Sequence, residues 1–168
     1  MSKKENSITV NKVIVDSLNF DSNMGQMFFI KGTNYIHLFG TRYTADDDTT
    51  RNFEMTCTFK DGFMTDGASA PTIAQVFVPK YKKEDNIYNA APFIHDALYM
   101  HKGQIEGAEL TREECDDILR GIWRIAGMSR FIAGVSDLGI ELIAGSDKHW
   151  GDDYNDCKHL FKAKIQYT

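Results

Sequence analysis

Residues 53–60, FEMTCTFK, set Phe53, Met55, Cys57 and Phe59 in strict alternation with Glu54, Thr56, Thr58 and Lys60. Successive strand side chains point to opposite faces, so this stretch reads as a strand with one buried face and one wet face. Asp61-Gly62 follows directly, and a glycine able to take positive φ at that place is a turn signal. Upstream, ITVNKVIV, QMFFI and YIHLF are short β-rich runs bounded by Asn, Asp, Ser and Gly. The pattern predicts a β-rich part over about residues 7–64.

The period then changes. A helical part is expected over about residues 86–148, beginning with a helix that holds Pro92 in its first turn and runs to about His101. Thr111-Arg112-Glu113-Glu114 has the form of a capping box, in which Thr111 and Glu114 exchange hydrogen bonds with each other's backbone amides. That helix should reach Gly127, with Cys115, Ile118, Leu119, Ile122, Trp123 and Ala126 on its core face. A third helix is expected after Ser129, with Phe131, Val135, Leu138 and Leu142 along one stripe, and residues 149–168 are expected to be an exposed tail. Strands first and helices afterwards imply an α+β fold, with an N-terminal antiparallel β portion packed against about three C-terminal helices. At 168 residues, 42% hydrophobic and 26% charged, the chain suits a single domain, residues 1–168, better than two.

Charge and cysteine usage narrow the function classes. The formal charge is -5, and Lys80-Tyr81-Lys82-Lys83 is the longest basic cluster, so no nucleic-acid partner is expected. Cys57, Cys115 and Cys157 are widely spaced and form no Cys-x-x-Cys pair, so neither a disulfide framework nor a thiolate zinc site is indicated, and a reducing cytoplasm fits. MSKKENSITV lacks the apolar stretch of a secretory signal, and no apolar run is long enough to be a membrane span.

Three stretches combine polar side chains with apolar or turn-forming neighbours: TDGASAP (65–71), HDALY (95–99) and EECDD (113–117). His95 and Asp96 lie about 100° apart around a helix, too far round to bond each other well, yet both can face one groove. His95 shares its side with Leu98 and Tyr99. The short connection GQIEGAEL would fold two helices antiparallel and bring His95 or Asp96 near Asp116. One imidazole with two or three carboxylates can hold a divalent metal, here through Asp66, His95, Asp96 and Asp116, or can supply the base, orienter and stabiliser of a hydrolysis. The same residues can equally form a closed hydrogen-bond network that locks the β part to the helices. Asp66-Gly67 with Ser69 and Pro71 can be a catalytic loop or a plain capped turn.

GFMTDGASAP, NAAPFIHDALY and LTREECDDILRGIWRIAG, followed by a final Gly-to-Trp segment ending at Trp150, resemble an uncharacterised family of small proteins encoded by bacteriophages and prophages, domain of unknown function 1353. The family pattern is Thr-Asp-x-Ala-Ser-x-Pro, then His-Asp-x-Leu-Tyr, then a helix with an Ala-Asp-x-x-Phe core, and the likeness spans roughly residues 50–150. Its recurrent polar positions fall on Asp66, Ser69, His95, Asp96 and Asp116, with Tyr99 at the aromatic position. Cys115 and Leu119 stand where the family has alanine and phenylalanine, and both preserve an apolar face.

The resemblance implies a phage origin and a shared polar centre. It supplies no activity, and the converging polar residues leave two functions as expectations. One is a hydrolase-like viral protein, metal-assisted or not, with Asp66, Ser69, His95, Asp96 and Asp116 as its catalytic set and His95 as general base. The other is a non-catalytic structural or assembly component of the virion. Its partners would be other phage proteins or a host protein, and its place the host cytoplasm or the virion.

Overall fold

The computed structural model describes residues 4–23, 27–67, 79–128, 150–153 and 156–168. Its main sheet has four antiparallel strands in the order β1 (Ser7–Val15), β4 (Asn34–Thr44), β5 (Thr49–Phe59) and β9 (Phe161–Tyr167). A three-stranded sheet joins β2 (Phe20–Asn23), β3 (Met27–Ile30) and β6 (Met64–Thr65). Between helices α1 (Asn86–Met100) and α2 (Arg112–Ile125) lies a small hairpin of β7 (Gln104–Ile105) and β8 (Ala108–Glu109).

The alternation in FEMTCTFK puts Phe53, Met55, Cys57 and Phe59 in the core. Directly opposite, Ile36 and Leu38 of β4 pair with Cys57 and Met55 and share the same face. The turn at Asp61-Gly62 forms as expected, with Gly62 at φ +90° and its amide donating to the Ile30 carbonyl, which ties the two sheets together. Leu98 and Ile94 of α1 and Ile118 and Ile122 of α2 close the core from the helix side. Cys57, Cys115 and Cys157 are free and buried; burial pushes the Cys57 thiol up to about 12, so it packs as a small apolar group.

Thr111 and Glu114 form the anticipated capping box, and α2 ends at an Ala126 cap with Gly127 at φ +94° beyond it. α1 starts earlier, relative to its proline, than the sequence suggested. The Asp85 carboxylate accepts the Tyr88 amide and caps the helix there, so Pro92 lies inside it rather than in its first turn. Pro92 has no amide to donate to the Tyr88 carbonyl, a local cost at a residue that is itself buried.

The expected fold class needs correction. The described residues contain two α-helices, not about three, and strands dominate. The segment assigned to a third helix, after Ser129, lies outside the described residues. The chain also returns to the sheet after its helices. β9 pairs along β5 with Met55 opposite Ile165, and Phe161, Ala163 and Ile165 are buried, so this stretch is a core strand and not an exposed tail. Among the described residues no helix is long and apolar enough to cross a membrane.

The β7–β8 hairpin fixes how the helices meet. Gly103, at φ +70°, ends α1 by donating to the Leu98 carbonyl, and a Cβ there would lie 2.0 Å from the Leu110 carbonyl oxygen. Beyond it, the Glu106 amide donates to Ala163 and the Glu106 carbonyl accepts from Ile165, stitching the hairpin to the edge of β9. The helices are thereby positioned relative to the sheet by backbone bonds as well as by packing.

A buried ion pair joins sheet and helix. Arg42 of β4 gives Nε to Glu114 Oε1 at 2.7 Å and Nη2 to Oε2 at 3.0 Å, and Glu114 is fully buried. The remaining guanidinium hydrogens reach the Tyr167 hydroxyl at 2.8 Å and the Glu109 carbonyl at 2.9 Å. A planar guanidinium suits this fork, and the extra partners offset much of its desolvation. Arg42→Ala would leave Glu114 charged and buried without its partner, and should cost about 3–5 kcal/mol in chemical denaturation. The double variant Arg42→Met with Glu114→Leu should cost less than Arg42→Ala alone. Equal losses would show that the stability comes from the pair itself and not from avoiding a stranded charge.

Candidate functional site

The residues singled out on α1 and α2 meet. His95 projects from the middle of α1 and its Nε2 lies 2.8 Å from Asp116 Oδ1 on α2. Tyr99, one turn beyond His95, donates its hydroxyl to the same Oδ1 at 2.7 Å, and the imidazole and phenol rings are 4.2 Å apart. On the other side of the ring, His95 Nδ1 is 3.7 Å from Asp96 Oδ1, an electrostatic contact too long for a direct hydrogen bond. Asp96 Oδ2 accepts from the Thr65 hydroxyl of β6 at 2.5 Å. The imidazole therefore sits between two carboxylates, one bonded to it and one across a gap.

These side chains are largely, but not wholly, withdrawn from water: His95 is 11%, Asp96 16% and Asp116 15% exposed. Burial lowers the His95 pKa, but the hydrogen bond and charge of Asp116, together with the nearby Asp96 carboxylate, outweigh it and push the value up to about 9. Burial likewise raises Asp116, yet its bonds from His95 and Tyr99 prevail and hold it below the ordinary carboxylate range. Tyr99 moves up, first through burial and then through its bond to Asp116. At neutral pH the pair is imidazolium and carboxylate, with the phenol un-ionised.

The remaining predicted positions fall less centrally. Asp66 is half-buried and immediately follows Thr65 in the chain. Ser69 lies outside the described residues. Among the described residues no three or more His, Cys, Asp and Glu side chains are grouped so as to hold a metal ion, so the set Asp66, His95, Asp96 and Asp116 does not form a cage in this arrangement. His95 would have to give up the proton it shares with Asp116, or turn, before Nε2 could ligate.

Two neighbours went unread in the sequence. Thr65 was visible only as the start of a turn motif, and its link to Asp96 spans 31 residues. Trp150 marked the end of the family likeness and nothing more, but its ring packs edge-on against Tyr99 at 5.0 Å while the Gly151 amide donates to the Tyr99 carbonyl at 2.8 Å. No short-range pattern signals either contact.

The raised His95 pKa predicts a pH dependence of stability. The folded protein keeps a proton near His95 that the unfolded chain releases above about pH 6.5, so the stabilisation is fully present below that value and lost as pH rises through about 9. The integrated loss should be on the order of 2–3 kcal/mol, shared between His95 and Asp116 and not counted twice. Asp116 adds the opposite limb, present above its ordinary range and lost as pH falls through its depressed pKa. Urea denaturation between pH 6 and 10 should show the decline, and His95→Gln should flatten it; an equal slope in the variant would assign it to other groups.

Neither the curated proteins nor the solved structures compared with this chain give a match. The family model described as "Protein of unknown function (DUF1353)" matches residues 42–136, a span that begins at Arg42 and takes in Thr65, His95, Asp96, Tyr99, Glu114 and Asp116. That is more than half of the 168-residue chain, and the protein belongs to this family.

Proposed function

We propose that this is a phage-encoded protein with a hydrolase-like acid–base site centred on His95. The observation that carries the reading is the imidazole clamped between Asp116 and Asp96, bonded on one nitrogen and spaced from a carboxylate on the other. Asp116 orients the ring through Nε2, and Tyr99 steadies Asp116. Nδ1 is the working nitrogen. Because the ring is protonated at neutral pH, His95 serves as general acid, where the motif alone suggested a base.

The chemistry is a two-group hydrolysis. Asp96 Oδ1 takes a proton from the attacking water, and the Nδ1–H of His95 passes one to the departing oxygen or nitrogen as its bond to the substrate breaks. Solvent then carries the proton on Asp96 back to His95, which restores both groups.

A second reading has its own support. Asp116 and Asp96 each accept hydrogen bonds from within the chain, as a purely structural network requires, and this favours a virion or assembly component that contacts other phage proteins. In either case the work is done in the host cell or in the particle assembled there.

A panel of activated esters, amides and glycosides separates the two. Any hydrolysis found should fall about 100-fold or more in kcat/KM for His95→Asn, fall also for Asp116→Asn, and decline as pH rises through about 9. Elemental analysis of wild type and Asp96→Ala would report bound metal on the same samples. Full retention of activity in a folded His95→Asn protein, or no turnover across the panel together with the protein's presence in purified virions, would reject the enzyme reading.

A further inference from the structure

Thr65 is fully buried and its hydroxyl faces two partners at once. Its Oγ1 accepts from the Gly67 amide at 3.1 Å and donates to Asp96 Oδ2. The direction of the second bond follows from the first: with a backbone N–H aimed at the oxygen, the hydroxyl proton is free to turn only to the carboxylate. Gly67 is itself held, at φ +79°, where a Cβ would lie 2.9 Å from both the Lys80 carbonyl oxygen and the Phe28 ring. The donor therefore stands on β6, paired with Phe28, beside a closely packed turn.

We propose that Thr65 is a positioning residue for the site, turning Asp96 so that Oδ2 is occupied and Oδ1 is presented to the gap beside His95 Nδ1. This rests on the acid–base reading given above and adds the residue that sets the second carboxylate. Asp116 needs no such help, since His95 and Tyr99 both bond it. Among the described residues the side chain that donates a hydrogen bond to Asp96 is Thr65, and loss of that donor would let the carboxylate rotate away from the ring. The gap of 3.7 Å between Nδ1 and Oδ1 would then no longer be defined. Among the described residues the titratable and charged groups around the pair include Asp116 and Tyr99 on the His95 side, with Arg120 acting on Asp116 and Arg112 on Tyr99, and Cys157, near the Met64 carbonyl, on the Asp96 side.

The test is the titration of the His95 ring by NMR in the full chain, without substrate. Thr65→Val keeps the shape and removes the donor, and should lower the His95 pKa by about 1 unit as Asp96 moves off. Thr65→Ser should titrate like wild type. Thr65→Val placed on Asp96→Asn should add nothing to the Asp96→Asn shift, because the effect passes through that carboxylate. Should Thr65→Val not fold, Thr65→Cys, a weak donor at the same place, should shift the titration in the same direction by less. An unchanged His95 pKa in a folded Thr65→Val or Thr65→Cys protein, or an equal effect with and without Asp96, would overturn the proposal. Because no turnover is measured, a protein that hydrolyses nothing still tests it, and an active enzyme can still fail it.

Discussion

Everything at the junction of sheet and helices depends on the burial of Glu114. Its carboxylate is the reciprocal half of the capping box that starts α2 and, through the same two oxygens, the partner of Arg42 on β4. A helix start and a strand are thereby fixed to one side chain. Since residues two apart lie about 200° apart around a helix, locking Glu114 toward the sheet turns Asp116 to the far side, toward α1. Asp117, a further 100° on, reaches the edge of β1 and accepts the Ile8 amide at 3.0 Å. What reads in sequence as the acidic run EECDD is a hub with separate tasks, and the position of Asp116 under His95 follows from the angle at which Glu114 is held.

The two ionic clusters differ in what they leave open. Around Arg42 the fork is occupied: Glu114, Tyr167 and the Glu109 carbonyl accept from its nitrogens. Around His95 the ring proton leaves as pH rises through about 9, and one flank of the ring faces a carboxylate across 3.7 Å. The clusters differ in this way although their carboxylates, Glu114 and Asp116, stand two residues apart on α2.

Local signals in the sequence were dependable where one face or one cap decided the outcome. FEMTCTFK, the Asp61-Gly62 turn and the Thr111–Glu114 box all form as their spacing requires. The meeting of His95 with Asp116 was also legible, because a short connection between two helices leaves few arrangements. FKAKIQY alternates as cleanly as FEMTCTFK, and reading it as part of a tail put position ahead of period. Pro92 misled because a prolyl residue suggests a helix start, whereas a capping aspartate seven residues earlier governs it. Arg42 and Thr65 were beyond reach: a single arginine in a strand and a threonine before a turn look like surface residues until a partner 72 or 31 residues away is brought to them.

The cost of the His95 cluster is an argument about its purpose. Replacing a buried ionic group by apolar side chains of similar volume is often neutral or stabilising, so burying an imidazolium with two carboxylates is an inefficient way to hold two helices together. Ile94 and Leu98 of α1 and Ile118 and Ile122 of α2 are already buried in one apolar core, and the connection between the helices is stitched to β9 through Glu106. A network kept only for cohesion would spend all its hydrogen-bonding capacity internally. This one leaves Nδ1 of His95 and Oδ1 of Asp96 facing each other without a direct bond, in side chains that solvent still reaches. On the proposed reading, that 3.7 Å gap, bounded among the described residues by one ring nitrogen and one carboxylate oxygen, is where a third molecule, water or substrate, enters.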